Sequence, residues 1–364
     1  MDIRGQYAAL LPEVKELVCE VIESGRFILG PNVRALEEEV AAAIGYGTAV
    51  AVANGTDAIE LGLQALGIGP GDEVVTSAYT FYATAEAIAR VGATPVFADI
   101  DPVTLCLDPA AAEAAVTERT RAVMPVHIFG QPADLGAFKE LADRLGIALV
   151  EDAAQAFGAT FEGYRAGSYG DVATFSFFPT KNFPAMGDAG MAIAAGEEIA
   201  ERIRLLRFHG SRDKRVFEHV GTNSRLDEIQ AAILRRFLPE VEGWNEGRRV
   251  VARRYQELGL GDHVTLPTEA PGRTHVYHLY VVRSPDRDTL QRQLKDAGIA
   301  SAVYYAEPLH VQPAFEHLGY RRGSLPVTEQ AAREGLALPM FPTLGESQQR
   351  EVVDAVRNAA LAAA

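Results

Sequence analysis

The chain has 364 residues, a formal net charge of −15 at pH 7 and a sequence pI of about 5.1. Its 48% apolar and 23% charged residues are typical of a globular protein, and its length suits two domains of about 100–250 residues each. So acidic a chain lacks the basic surface that nucleic-acid binding requires, although helix N-termini and a few arginines can still hold small anions.

Nothing in the sequence indicates secretion or a membrane span. The N-terminus, MDIRGQYAAL, lacks the pattern of a signal peptide, and no run approaches about 18 apolar residues. Cys19 and Cys106 share no motif spacing and are typical of reduced cysteines in a cytosolic protein. We therefore expect a cytoplasmic protein without a metal site.

Strands and helices alternate over the first half of the chain. Short apolar runs predict strands at residues 47–53, 72–77, 94–100, 121–129, 147–152 and 171–178. Amphipathic segments predict helices at 54–67, 81–92 and 135–146. This alternation predicts an α/β domain with a mostly parallel central sheet flanked by helices.

The pattern changes after Ser224. Residues 224–259 form a long amphipathic region that is interrupted at Pro239. Beyond it we expect a strand at 274–285 and helices at 288–298 and 328–339. These elements predict a smaller C-terminal α+β domain, with domains at 1–235 and 236–364.

Ligands of α/β sheets bind at the carboxyl ends of the strands, and NGTDAI, residues 54–59, follows the first predicted strand. Gly55 allows the backbone to approach a ligand closely. Thr56 places a hydroxyl at a helix N-terminus, where free amides and the helix dipole favour a phosphate. Taken alone, the motif favours an ordinary helix cap by Thr56 or Asp57.

A second candidate, VEDAAQAFGA, follows another predicted strand. Asp152 could hold a protonated ring nitrogen, and the amide of Gln155 could bond a ring hydroxyl. Asp152 could also simply cap the next turn. If the strand continues, Glu151 faces the opposite side of the sheet.

The third candidate is FSFFPTKNFPAMGDAG, residues 175–190. It contains Lys181, one of only five lysines in a chain whose other basic residues, apart from histidine, are arginines. Burial lowers the pKa of an amine and makes it a nucleophile, which an arginine cannot become. Ser176 could bind a phosphate. A surface lysine with a buried stem is the alternative interpretation.

Together, a phosphate cradle, a carboxylate and a reactive lysine are the groups that pyridoxal 5′-phosphate (PLP) requires. Their order and spacing resemble the PLP-dependent sugar-nucleotide aminotransferases of the DegT/DnrJ/EryC1 group, which have the aspartate aminotransferase fold (fold type I). The resemblance covers nearly the whole chain, through SGRFILGPNVRALEEEVA, NGTDAIELGLQALGIGPGDEVV, TFYATAEAI, VFADID, EDAAQAFGA, SFFPTKN, NSRLDEIQAAI and EPLHVQPAF.

The resemblance implies a role for each matching residue. Lys181 forms the Schiff base with PLP, Asp152 faces the pyridine nitrogen, and Gln155 bonds the ring hydroxyl. Gly55, Thr56 and Ser176 hold the phosphate, and Phe81 stacks on the ring. Asn223 reaches the cofactor phosphate of a neighbouring subunit, which implies a homodimer with shared active sites.

The implied activity transfers an amino group from L-glutamate, which becomes 2-oxoglutarate, to a keto group of a nucleoside-diphosphate-linked deoxysugar. Lys181 moves the protons, and Asp152 keeps the ring nitrogen protonated. Tyr304, Tyr305 and His310 lie where the family closes over the nucleotide-sugar substrate. His310 is equally consistent with a structural hydrogen bond in a proline-containing turn.

The residues after the lysine read GDAG, which resembles family members that aminate a 3-keto sugar. Ala189 therefore favours C3 of a 3-keto-6-deoxyhexose, with a thymidine nucleotide slightly favoured over uridine, although its methyl could merely fill a packing gap. Amination at C4 and a UDP-linked 3-keto sugar are the alternatives.

A PLP-dependent sugar dehydratase and a non-enzymatic regulator are the alternatives from other classes of protein. Related PLP-dependent sugar dehydratases carry histidine at the lysine position, so Lys181 argues against a dehydratase. An intact set of cofactor groups and the acidic pI argue against a non-enzymatic regulator.

Overall fold

The computed structural model describes residues 3–363. The α-helices of this part are α1 (Ile3–Tyr7), α2 (Leu11–Ser24), α3 (Pro31–Ile44), α4 (Gly55–Ala65), α5 (Ala83–Arg90), α6 (Pro109–Ala114), α7 (Leu135–Leu145), α8 (Glu197–Leu206), α9 (Glu228–Phe237), α10 (Val241–Glu257), α11 (Arg287–Asp296), α12 (Pro326–Glu334) and α13 (Glu346–Ala363). Its strands are β1 (Thr48–Val52), β2 (Glu73–Ser77), β3 (Thr94–Ala98), β4 (Thr120–Met124), β5 (Ala148–Asp152), β6 (Thr160–Phe161), β7 (Tyr164–Arg165), β8 (Val172–Ser176), β9 (Gly190–Ala194), β10 (Arg273–Thr274), β11 (Tyr280–Arg283) and β12 (Gly335–Leu338).

Seven strands form the central sheet in the order β1-β9-β8-β5-β4-β2-β3. Strand β9 runs antiparallel to both of its neighbours, and every other neighbouring pair is parallel. The predicted fold class is therefore confirmed. Because the parallel strands point the same way, the residues that follow β1, β2, β5 and β8 meet at one edge of the sheet.

Helices cover both faces of this sheet, as the alternation of side chains along β1 shows. Ala49 and Ala51 belong to an apolar cluster with α3 and α9, whereas Val50 and Val52 pack on the opposite face with α4 and α8. Successive side chains of a strand point to opposite faces, so a strand buried on both sides is apolar throughout. This explains the continuous apolar run in the sequence.

Pro239 interrupts the amphipathic region as expected, in a 3-10 turn at Leu238–Glu240 between α9 and α10. Beyond it, α10, α11 and α13 pack with the two-stranded sheet of β11 and β12 around an apolar cluster that runs from Val251 to Ala359. We propose that the second domain begins at this turn, close to the expected boundary at residue 235.

Several predicted elements differ from the structure, and one strand of the central sheet was not predicted. The helix expected at 328–339 ends at Glu334, because Gly335 is extended and residues 335–338 pair with β11. The strand expected at 274–285 is regular only over β11, with its start in the separate short strand β10. Strand β9 was not predicted, because its five residues follow an irregular segment that contains two prolines, Pro179 and Pro184.

Candidate active site

The turn after β1 lies against the end of β8. A Cβ atom added to Gly55 would be 2.7 Å from the Cβ of Ser176 and 3.2 Å from its Oγ. A Cβ at Gly190 would be 2.3 Å from the carbonyl carbon of Asn54. Only glycines permit these two approaches, so a cradle of backbone amides and a serine hydroxyl forms where the sequence predicted a phosphate site.

Asn54 caps α4, and neither Thr56 nor Asp57 does. The Asn54 side chain accepts a hydrogen bond from the amide of Asp57 over 2.9 Å. Within the described residues, the hydroxyl of Thr56 makes no hydrogen bond, and its side chain is only partly buried. The hydroxyl therefore remains available to a ligand at the positive end of the helix.

Asp152 is the last residue of β5 and is buried, with 4% of its surface exposed. Its Oδ2 accepts a hydrogen bond from the hydroxyl of Thr84 over 2.7 Å, and its Oδ1 accepts one from the amide of Ala154 over 3.2 Å. Both oxygens are thus oriented. As expected, Glu151 lies on the other face, where it accepts hydrogen bonds from His127 and from the backbone of Gly167.

Lys181 lies in the loop between β8 and β9 and is partly buried. Burial lowers the pKa of its amine to about 8, and the negative charge of Asp152 only partly opposes this shift. The amine makes no hydrogen bond or ion pair with any residue that the structure describes. A substantial neutral fraction near pH 8 makes it a nucleophile and a base.

An aromatic group closes the site from the second domain. The hydroxyl of Tyr305 accepts a hydrogen bond from Gln155 Nε2 over 3.1 Å, and the Gln155 Oε1 accepts one from the amide of Phe129 over 2.8 Å. The Tyr305 ring lies 6.4 Å from the ring of Phe81, which is 58% exposed. Burial raises the pKa of Tyr305, so its phenol stays protonated.

The structure brings seven of the predicted residues to this edge of the sheet: Gly55, Thr56, Phe81, Asp152, Gln155, Ser176 and Lys181. Tyr305 joins them from the second domain. Tyr304 adjoins Tyr305, and its carbonyl accepts a hydrogen bond from the Tyr79 hydroxyl over 2.7 Å. Asn223 is exposed, opposite Phe208 in an isolated bridge.

His310 and Ala189 are both buried. The Nε2 of His310 lies 3.1 Å from Oε1 of Glu329, and only 1% of the histidine surface is exposed. Ala189 is the last residue of the loop between β8 and β9 that carries Lys181 (the lysine loop, residues 177–189). Its side chain belongs to the apolar cluster beneath that loop. For each residue, this burial favours the structural interpretation.

Three residues that support the site were not predicted from the sequence. Thr84 holds Asp152, Phe129 orients Gln155, and Asn182 fastens the lysine loop to Asn245. Thr84 looked like an ordinary helix residue, and the positive φ of Phe129, 58°, has no sequence signal in a phenylalanine. The pairing of Asn182 with Asn245 depends on how the two domains pack.

No group of metal-ligating residues and no helix able to cross a membrane occurs among residues 3–363.

The fold and the site define this chain as an aminotransferase of the aspartate aminotransferase fold. It belongs to the DegT/DnrJ/EryC1/StrS aminotransferase family, whose profile matches residues 10–357. Family and enzyme class are therefore as predicted.

Two relatives align over almost their whole length. The "Pleiotropic regulatory protein" of Geobacillus stearothermophilus is 52% identical over 98% of this chain and 96% of its own. The "dTDP-3-amino-3,4,6-trideoxy-alpha-D-glucose transaminase" of Streptomyces venezuelae is 44% identical over 98% of this chain and 95% of its own.

Solved structures agree with the fold. The crystal structure of S. venezuelae DesV in complex with a ketimine intermediate has a TM-score of 0.95 and 44% identity, and covers 99% of this chain and 97% of that one. The structure of NtdA from Bacillus subtilis with bound cofactor PMP has a TM-score of 0.89 and 31% identity, and covers 96% of this chain and 82% of that one.

Proposed function

We propose that this protein transfers an amino group from L-glutamate to the C3 keto group of a nucleoside-diphosphate-linked 6-deoxyhexose, with a thymidine nucleotide as the favoured carrier. The observation that carries this proposal is that Lys181, whose pKa burial lowers to about 8, lies near the oriented carboxylate of Asp152 at one edge of the sheet. An amine and a carboxylate so placed suit amino-group chemistry on a protonated heteroaromatic ring.

Pyridoxal 5′-phosphate is the cofactor, and the residues present fit it. The cradle at Gly55 and Ser176 suits its phosphate, since an added Cβ at Gly55 would collide with Ser176, and only glycine lets the start of α4 lie this close to the Ser176 hydroxyl. Asp152 suits the ring nitrogen, and the second hydrogen of Gln155 Nε2 suits the ring hydroxyl. When bound, the cofactor supplies an aldehyde that receives the amine and a ring that accepts electrons.

Each residue of the site then has its own role in the amino transfer. Lys181 takes a proton from the α-carbon of the donor and later delivers one, which its lowered pKa permits near neutral pH. Asp152 holds the proton on the ring nitrogen. Phe81 covers one face of the ring, and Tyr305 excludes water from the side of the second domain.

The choice of C3 is supported by the GDAG segment and by the name of the S. venezuelae relative, which specifies a 3-amino sugar. Because Ala189 is buried, its support comes from the resemblance and not from contact with a sugar. We propose that the nucleotide sugar enters between the domains, beside Tyr304 and Tyr305.

We also propose that the protein acts as a homodimer. Asn223 is exposed, and the neighbouring loop carries exposed apolar side chains, with Val216 66%, Phe217 60% and Val220 96% accessible. A second copy that covers this loop would explain the exposure and would bring Asn223 to the partner's phosphate site.

The proposal is tested by incubation of the purified protein with PLP, L-glutamate and matched 3-keto and 4-keto deoxysugar nucleotides, with product identification by NMR. We expect the amine at C3 and formation of 2-oxoglutarate. Amination of the 4-keto substrate alone would overturn the C3 assignment and leave the aminotransferase standing. A parallel UDP-linked series identifies the nucleotide.

The name of the G. stearothermophilus relative favours a second candidate, a regulatory role. A regulator without cofactor would show no visible absorption after incubation with PLP and dialysis. An absorption band that glutamate bleaches would instead identify an enzyme, whatever further role the protein has.

A further inference from the structure

A buried chain of hydroxyl groups ends on the Asp152 carboxylate. Thr84 Oγ1 lies 2.7 Å from Asp152 Oδ2, and Thr80 Oγ1 lies 3.0 Å from Thr84 Oγ1. Both threonines have 1% of their surface exposed. Water therefore does not compete for these hydrogen bonds.

The chemistry fixes the direction of this chain. An ionised carboxylate only accepts hydrogen bonds, so the single O–H group of Thr84 donates its hydrogen bond to Asp152. The oxygen of Thr84 can then only accept from Thr80. Such a donor stabilises the charged form of the carboxylate, and bonds to charged groups are stronger than neutral ones.

The same short segment also places Phe81. The amide of Thr84 donates to the carbonyl of Phe81 over 3.2 Å, which closes a turn at the start of α5. The side chain of Phe81 projects into the site, and that of Thr84 reaches β5. One turn thus sets both the aromatic cover and the orientation of the carboxylate.

We propose that Thr84 is a positioning residue of the active site, which holds the Asp152 carboxylate aimed at the ring nitrogen of the cofactor and is itself held by Thr80. The proposal rests on the proposed PLP site but not on the identity of the sugar. Without the Thr84 hydroxyl, Oδ2 loses a donor in a dry environment, and the carboxylate can rotate about its Cβ–Cγ bond away from the ring nitrogen.

The test compares Thr84→Val, which keeps the branched shape, with Thr84→Ser, which keeps the hydroxyl. The first measurement is the ¹⁵N NMR shift of ring-labelled PLP in the holoenzyme between pH 6 and 9. We expect the ring nitrogen to stay protonated in the wild type and the serine variant, and to lose its proton within this range in the valine variant.

The second measurement is the single-turnover rate with L-glutamate, followed by absorbance. The valine variant should be slower by about tenfold to a hundredfold, the range expected for a lost hydrogen bond to a charged group, and the serine variant should stay within about threefold. Thr76→Val is the matched control, because Thr76 is also buried but donates to the carbonyl of Met124. It should change neither measurement.

A valine variant with a protonated ring nitrogen and a rate within twofold of the wild type would overturn the proposal. So would an equal loss in Thr76→Val, which would indicate a general effect of removing a buried hydroxyl. If the valine variant does not fold, Thr84→Ala against Thr84→Ser gives the same comparison. Wild-type protein that binds no PLP would overturn both this inference and the proposed function, whereas failure of the sugar assay alone would leave this inference intact.

Discussion

The side-chain amide of Asn182 donates to Oδ1 of Asn245 over 2.7 Å and to the carbonyl of Val276 over 2.8 Å. Asn182 directly follows Lys181, whereas Asn245 lies in α10 and itself donates to the carbonyl of Phe157 over 3.1 Å. The lysine loop is thus fastened to the second domain by both hydrogens of one amide.

Asn182→Ala should therefore weaken the fold and the site together. It would leave two buried acceptors without a donor, at about 1–3 kcal/mol each, so we expect the free energy of unfolding to fall by about 2–6 kcal/mol. Urea denaturation measures this change. Asn358→Ala, at an exposed position of α13, is the control and should leave the midpoint unchanged.

Lys181→Ala should fold and still bind PLP weakly through the phosphate cradle, but should form no covalent adduct after borohydride reduction. The chain has only five lysines, so peptide mapping of the reduced wild type identifies the attached residue directly. Lys139→Ala, on the exposed face of α7, should react like the wild type. A covalent adduct in Lys181→Ala would contradict the assignment.

The rate at which PLP attaches to the apo protein should rise with pH and be half-maximal near pH 8. Only the neutral amine attacks, and burial lowers the pKa of Lys181 to about 8, so the rate should fall about tenfold per pH unit well below that value. Asp152 opposes the shift, and Asp152→Asn should therefore move the midpoint to lower pH. A midpoint near pH 10.5 would show that the lysine is not desolvated.

Gly55→Ala should weaken PLP binding by tenfold or more, because its Cβ would lie 2.7 Å from that of Ser176 and would push the two walls of the cradle apart. Titration of the apo protein by fluorescence gives the Kd. Gly69→Ala is a matched control, since the nearest atom to its Cβ would be 3.6 Å away. Equal affinities in the two variants would exclude the close approach as the basis of the cradle.

His310→Asn should lower stability by about 1–3 kcal/mol through loss of its buried contact with Glu329. Among folded molecules, the glutamate half-reaction and the KM for the sugar nucleotide should both stay within about twofold of the wild type. A rise in the sugar-nucleotide KM alone would place His310 in contact with the substrate.

The sequence predicts those features that depend on local pattern. Buried strands and amphipathic helices have their own periodicities. Gly55 and Lys181 follow strands that the pattern identifies, and Asp152 ends one. Features that depend on distant packing were missed, such as the pairing of β12 with β11 and the support of Asp152 by Thr84. A threonine in a helix has the same local pattern whether or not its hydroxyl reaches a carboxylate on a neighbouring strand.

Strand β1 is the outermost strand of the central sheet on one side. It pairs with β9, with Val52 opposite Gly190. During synthesis, β1 and the turn at Gly55 are made long before residues 190–194 leave the ribosome. A nascent chain that stops short of Gly190 therefore has no partner for β1, and contacts this far apart in sequence form late because closing the loop costs entropy. The phosphate cradle should consequently be completed only after the lysine loop itself has been made.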